Sequence, residues 1–191
     1  MGGAPVTTPR KVEGRARLSR GLVQVYTGDG KGKTTAGLGL ALRAAGHGLR
    51  SALFCFMKTD DTYGEIMGAA RFAPWITVRA MGRETFVDRE NPAREDVRVA
   101  REGFAAAREA TMGGEYDLVI LDEINLVLDF GLVPVDEVLQ LFRDKPHHVE
   151  IVLTGRSAPA AVLEAADLVT EMVERKHYYP KGVYARRGID Y

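Results

Sequence analysis

The run Thr27-Gly28-Asp29-Gly30-Lys31-Gly32-Lys33-Thr34-Thr35 has the residue types of a phosphate-binding loop. Its glycines let the backbone wrap closely, so that several N–H groups can point at one phosphate. Lys33 supplies a mobile cation for phosphate oxygens, and Thr34 supplies a hydroxyl for Mg2+. An apolar run from Leu22 to Tyr26 leads into it and a helical pattern leads out. A phosphate there would meet the partial positive charge of a helix N-terminus. The full loop pattern has glycine where this chain has Thr27; Gly28 and Gly30 are present instead, with Lys31 as an extra cation.

A second element matches the first. Tyr116-Asp117-Leu118-Val119-Ile120-Leu121-Asp122-Glu123 is an apolar strand that ends in two acids. A carboxylate at the C-terminal end of a parallel strand sits beside a phosphate loop, where it can serve Mg2+ directly or through water. Together the two elements point to a nucleoside triphosphate. The guanine-reading pattern Asn-Lys-x-Asp does not occur, which favours ATP. Two further cations are candidates. Arg43, on the first helix, could reach the nucleotide or form a surface ion pair. Arg156, in Thr154-Gly155-Arg156-Ser157-Ala158-Pro159, follows a strand and so lies at the functional edge of such a sheet.

The elements that must position these residues alternate. Strands are expected at Leu22–Tyr26, Ser51–Met57, Ile76–Ala80, Leu118–Leu121, Val149–Leu153 and Leu168–Val173. Helices are expected at Lys33–Ala45, Arg94–Met112, Val135–Arg143 and Pro159–Ala165. This order predicts an α/β fold, a mostly parallel sheet flanked by helices. Met81 to Asn91 reads as a polar loop that either exposes Phe86 and Val87 or uses them to grip a ligand. From Arg175 onward, basic residues alternate with Tyr178, Tyr179, Tyr184 and Tyr191. Such a tail could bind RNA, close over a flat anionic ligand, or pack on the sheet edge. His47, between Gly46 and Gly48, suits a helix end.

Composition narrows the classes. The chain has 191 residues, enough for one substantial core. Residues 1–20 form a basic segment expected to be flexible, and residues 21–191 the folded domain. Lys plus Arg and Asp plus Glu each number 26, which argues against a nucleic-acid partner. The single cysteine, Cys55, excludes an internal disulfide. No apolar run is long enough to span a membrane and no signal-peptide core is present, so the expected compartment is the cytoplasm.

The span from Gly21 to Tyr191 resembles the ATP:corrinoid adenosyltransferases. The match is carried by Val25 through Thr35, Ala41-Leu42-Arg43-Ala44-Ala45-Gly46-His47-Gly48, and Leu121-Asp122-Glu123-Ile124-Asn125. It continues through Leu153 to Pro159, Ala166 to Met172, and the ending from Lys176 to Tyr191. The missing first glycine of the loop is normal for that family. The resemblance implies a RecA-like P-loop domain, typically dimeric, acting on ATP with Mg2+. Co(I) of a reduced corrinoid, cob(I)alamin or cob(I)yrinic acid a,c-diamide, attacks the ribose C5′, and triphosphate leaves. A flavoprotein reductase is the implied electron donor.

By the same resemblance, Gly28, Asp29, Gly30, Lys31, Gly32, Lys33, Thr34 and Thr35 cradle the triphosphate. Arg43 and Arg156 contact the nucleotide, Thr34, Glu123 and Asp122 serve Mg2+, and Phe86, Val87 and Asn125 face the corrinoid. Members of the family often read Gly-Phe-Thr-Trp after the third strand, where this chain reads Gly82-Arg83-Glu84-Thr85-Phe86-Val87. The second strand ends Phe56-Met57-Lys58-Thr59-Asp60 in place of a more usual Gln-Phe-x-Lys-Gly. These departures leave the ATP elements untouched and bear on which corrinoid is bound. The alternative is a RecA-like ATPase, or an ATP-binding regulatory module, without corrinoid chemistry.

Overall fold

Alternating apolar side chains along each strand decide the layering, because successive residues point to opposite faces. In the computed structural model, which describes residues 16–59 and 63–191, β1 is Val23–Thr27, β2 Ser51–Phe56 and β3 Ile76–Met81. The later strands are β4 Leu118–Asp122, β5 Glu150–Thr154 and β6 Leu168–Glu171. The helices are α1 Lys33–Gly46, α2 Gly64–Ala69, α3 Arg94–Met112, α4 Ile124–Asp129, α5 Val135–Asp144 and α6 Ala160–Ala165. All strand pairs are parallel and the order is β3-β2-β4-β5-β1-β6.

Ala52, Phe54 and Phe56 of β2, with Val119 and Leu121 of β4, pack under α3 to α6 against Phe104, Ile124, Val138 and Val162. Leu53 and Cys55, with Leu118 and Ile120, face the other way and are covered by Ala41 and Ala44 of α1 and Ala69 of α2. Burying each large side chain of this kind is worth roughly 1.5–3 kcal/mol. A sheet buried on both faces needs runs such as Leu118 to Leu121, apolar at every position.

The expected fold class is the observed one: a parallel sheet flanked by helices, as in a P-loop domain. Strand and helix ends agree with the sequence expectation to within two residues, and those of α3 coincide with it. Two short helices, α2 and α4, were not foreseen. Six residues are less than two turns, too short for a helical period to register. The expectation for the N-terminal segment falls largely on residues 1–15, outside the described residues, as does Asp60. Arg17 is described and donates to the Gly114 carbonyl at 2.9 Å.

Candidate functional site

Every strand ends toward one edge, and there a cleft of about 900 Å3 opens. The phosphate loop forms one of its walls. Gly32 caps α1 in the left-handed region at φ 118°, which turns the chain directly into the first helical turn. No acidic side chain stands in that turn, so its free N–H groups face an uncompensated opening. The loop is braced by the chain leaving β6. The Gly30 N–H donates to the Met172 carbonyl at 2.6 Å, and the Met172 N–H donates to Thr27 at 2.8 Å. A Cβ on Gly30 would come within 2.6 Å of that same carbonyl oxygen, so no other residue fits there without moving β6.

Lys33 is buried and its ammonium fills the centre of the loop, donating to the carbonyls of Gly28 at 2.6 Å and Gly30 at 2.7 Å. Burial lowers its pKa, and the nearby Glu123 opposes that. The ammonium is thus held where phosphate oxygens would replace backbone carbonyls as its partners.

The acidic pair splits into two roles. Asp122 is fully buried; its Oδ1 accepts from Thr154 Oγ1 at 2.6 Å and its Oδ2 from Lys58 Nζ at 2.8 Å. Glu123 adopts the left-handed region at φ 63°, an uncommon conformation for a side-chain-bearing residue, and its N–H donates to Thr154 Oγ1 at 3.0 Å. Burial, with the Asp122 charge adding to it, pushes the Glu123 carboxyl above the ordinary range. Lys58 lies within 2.9 Å of Glu65 Oε1 and 3.4 Å of Thr34 Oγ1. Burial alone would lower the Lys58 pKa, but Asp122 and Glu65 overcome it and hold the ammonium well above its usual value.

Oxygen atoms of Thr34 and Asp122 therefore converge on one cation, with Glu123 beside them. That donor set fits Mg2+, a hard cation that takes oxygen ligands. The fit rests on an ammonium in the position a metal would take. Among the described residues, no group of three or more His, Cys, Asp or Glu could hold a metal, at this place or any other.

The opposite wall is built from loops. Phe86 is fully exposed at the cleft mouth, while Val87 packs partly into the core. The C-terminal residues Tyr178, Tyr179, Asp190 and Tyr191 also line the cleft. Asp190 pairs with Lys31 of the phosphate loop at 2.7 Å and accepts from Tyr178 and Arg186. Lys31 first, then Tyr178, hold its carboxyl far below the usual range. The tail thus runs along the cleft, and the Asp190–Lys31 pair ties it to the phosphate loop.

The structure brings Asp29 through Thr35, Glu123, Arg156, Phe86 and Val87 to the cleft. Gly28 stands behind the loop and offers its carbonyl to Lys33. Two candidates lie elsewhere. Arg43 is exposed in the last turn of α1, because ten helical residues carry it about 15 Å from Lys33. Asn125 is fully buried and does not face the cleft. Its Nδ2 donates to the carbonyls of Gly155 at 2.9 Å and Tyr26 at 3.3 Å, tying β1 to the turn after β5. Thr154, Glu65 and Asp190 were not singled out as site residues from the sequence, and Lys58 was noted only as part of an altered strand end. Position at a strand's C-terminal edge was the available signal for Thr154 and Lys58.

Among the described residues no helix is long and apolar enough to cross a membrane. Comparison with known proteins gives a consistent result. Residues 19–191 match the family model described as ATP:corrinoid adenosyltransferase BtuR/CobO/CobP. A Pseudomonas aeruginosa protein named corrinoid adenosyltransferase is 33% identical over 93% of this chain and 87% of its own length. An Escherichia coli K12 protein of the same name is 35% identical over 95% of this chain and 92% of its own. A Sinorhizobium relative, again so named, is 36% identical over 90% of this chain and 81% of its own.

Proposed function

The chain belongs to the ATP:corrinoid adenosyltransferase family, and from that premise we propose how its residues divide the work. The enzyme transfers the adenosyl group of ATP to a corrinoid. In the reaction, Co(I) attacks the ribose C5′, the C5′–O5′ bond breaks, and its electron pair leaves on triphosphate. The metal atom of the corrinoid is the nucleophile, so the protein needs no general base.

The phosphate loop, residues 28–35, binds the triphosphate. The N–H groups at the start of α1 and the ammonium groups of Lys33 and Lys31 neutralise charge that grows on the leaving oxygen. Arg156, whose guanidinium reaches the Asp29 carbonyl at 3.3 Å, adds a cation at the rim. Thr34, Asp122 and Glu123 hold Mg2+, which when bound supplies further charge neutralisation to the triphosphate. Thr154 orients both acids by donating to one side chain and accepting from the other's backbone. Phe86 and Val87 meet the corrin ring, and the apolar surface beneath it favours a cobalt that has lost its lower ligand. Tyr178, Tyr179 and Tyr191 narrow the cleft and keep water from the reacting atoms. The enzyme works in the cytoplasm as a homodimer, with a flavoprotein reductase providing the Co(I) state.

The observation that carries this division is the Lys33 ammonium, already seated in the loop on two carbonyl oxygens. The test is anaerobic. Protein, Mg·ATP and chemically reduced cob(I)alamin are mixed, the corrin spectrum is followed, and the phosphate product is identified. A light-sensitive alkylcobalamin with triphosphate is expected. Orthophosphate with an unchanged corrin spectrum, for cob(I)alamin and for the a,c-diamide precursor alike, would move the protein to the ATPase class.

A further inference from the structure

Lys58 occupies a position that the proposed metal also needs. Its ammonium lies 2.8 Å from Asp122 Oδ2 and 3.4 Å from Thr34 Oγ1, the oxygens assigned above to Mg2+. A third contact, 2.9 Å to Glu65 Oε1 on α2, is not part of that set. Both Lys58 and Glu65 are nearly buried, and Asp122 is wholly so. The chain reaches this place by a sharp turn after β2, where Met57 takes a φ of 57°. The same ammonium also lies over the ring of Tyr63, 5.2 Å from its centroid, which adds a cation–π contact to its ion pairs.

Two cations cannot occupy one position between the same oxygens, since like charges at such separations repel strongly in a poorly hydrated site. A carboxylate as buried as Asp122 cannot be left without a counter-charge either. We propose that Lys58 is the resident counter-ion of the metal position: it holds Asp122 and Thr34 in the nucleotide-free enzyme and is displaced from them when metal and ATP arrive together. Glu65 retains the displaced ammonium, so the lysine moves without losing its partner. The consequence is that free divalent metal is refused and metal enters with nucleotide. This inference rests on the reading of Thr34 and Asp122 as metal ligands.

The test uses Mn2+ as a spin-active probe and needs no turnover. Free Mn2+ is titrated into the nucleotide-free protein and read by EPR. Wild type is expected to bind it only in the millimolar range or weaker, and Lys58→Met about a hundredfold more tightly. Should the methionine variant not fold, Lys58→Gln keeps a donor for Asp122 while removing the charge, and it is expected to bind Mn2+ more tightly than wild type. Tight Mn2+ binding by nucleotide-free wild type, or no gain in a folded Lys58 variant, overturns the proposal. The underlying metal reading is checked separately with ATP present, where Asp122→Asn should weaken Mn2+ binding. A normal response to Asp122→Asn with no gain on removing Lys58 overturns the role of Lys58 alone. No response to Asp122→Asn overturns the metal assignment, and the inference with it.

Discussion

The two walls of the cleft are made differently. The phosphate wall is backbone held by backbone: the loop hangs on Met172, its central ammonium on two carbonyls, and its acids on a buried threonine. The facing wall is side chains on loops, with Phe86 fully exposed and Tyr179 largely so. The first wall is rigid before any ligand arrives, which suits a polyanion whose charge must be met at fixed points. The second offers area without fixed geometry, which suits a large flat ring. The difference teaches that, in the proposed division of work, the phosphate wall would set the chemistry and the loop wall the partner presented to it.

That contrast can be broken or sharpened by substitution. Lys33→Ala strikes the rigid wall at its centre, and adenosyl transfer is expected to fall about a thousandfold with the fold intact. Triphosphate release in a folded variant at the wild-type rate would remove Lys33 from the leaving-group site. Asp122→Asn should cost about a hundredfold in transfer and also lower Tm, because the largely buried Lys58 loses one of its two charged partners. Phe86→Ala should raise the corrinoid KM about tenfold, leaving ATP affinity and Tm near wild type, since the ring is exposed and its loss opens no cavity. A fall in ATP affinity instead would assign Phe86 to the nucleotide. The smallest effect is expected for Arg43→Ala, within about twofold in ATP affinity by calorimetry, because the side chain faces solvent away from the cleft.

Glu123 gives a pH test of the same wall. Its carboxyl is raised by burial and by Asp122, so the folded state binds its proton more tightly than the unfolded chain does. Such a group favours folding below its unfolded pKa, and that contribution is lost as pH rises through the higher folded value. Glu123→Gln should therefore raise the Tm of the nucleotide-free protein at neutral pH. The gain should shrink as the buffer is taken down toward the ordinary carboxylate range, near pH 4. A Tm difference independent of pH would mean that the charge is already compensated.

What the sequence revealed follows the same division. The phosphate loop and the strand ending in Asp122-Glu123 are contiguous, so their chemistry is written in local order, and α3 was expected over its observed span, Arg94–Met112. Arg43 and Asn125 lie away from the cleft, and spacing along the chain does not say which way a side chain faces. Distance along α1 removed the first, and the junction of β1 with the turn after β5 absorbed the second. Lys58, Thr154 and Glu65 belong to the site only because β2, β4 and β5 lie side by side, and strand order is not a local property. Helix α4 was hidden directly behind the acidic pair, its six apolar-rich residues too few to display a period.

The sheet order also bears on how the enzyme comes into being. Strand β1 is flanked by β5 and β6, so the element that launches the phosphate loop is clasped by partners made long after it. Leu22 and its acceptor Glu150 stand 128 residues apart, and the carbonyl that anchors Gly30 belongs to Met172. Contacts of such separation close late, after much chain entropy has been surrendered. On the ribosome, the motif would emerge well before the strands that give it shape. A nascent chain halted before Met172 would carry the sequence of a nucleotide site without its cradle, and ATP would recognise only a chain grown past that residue.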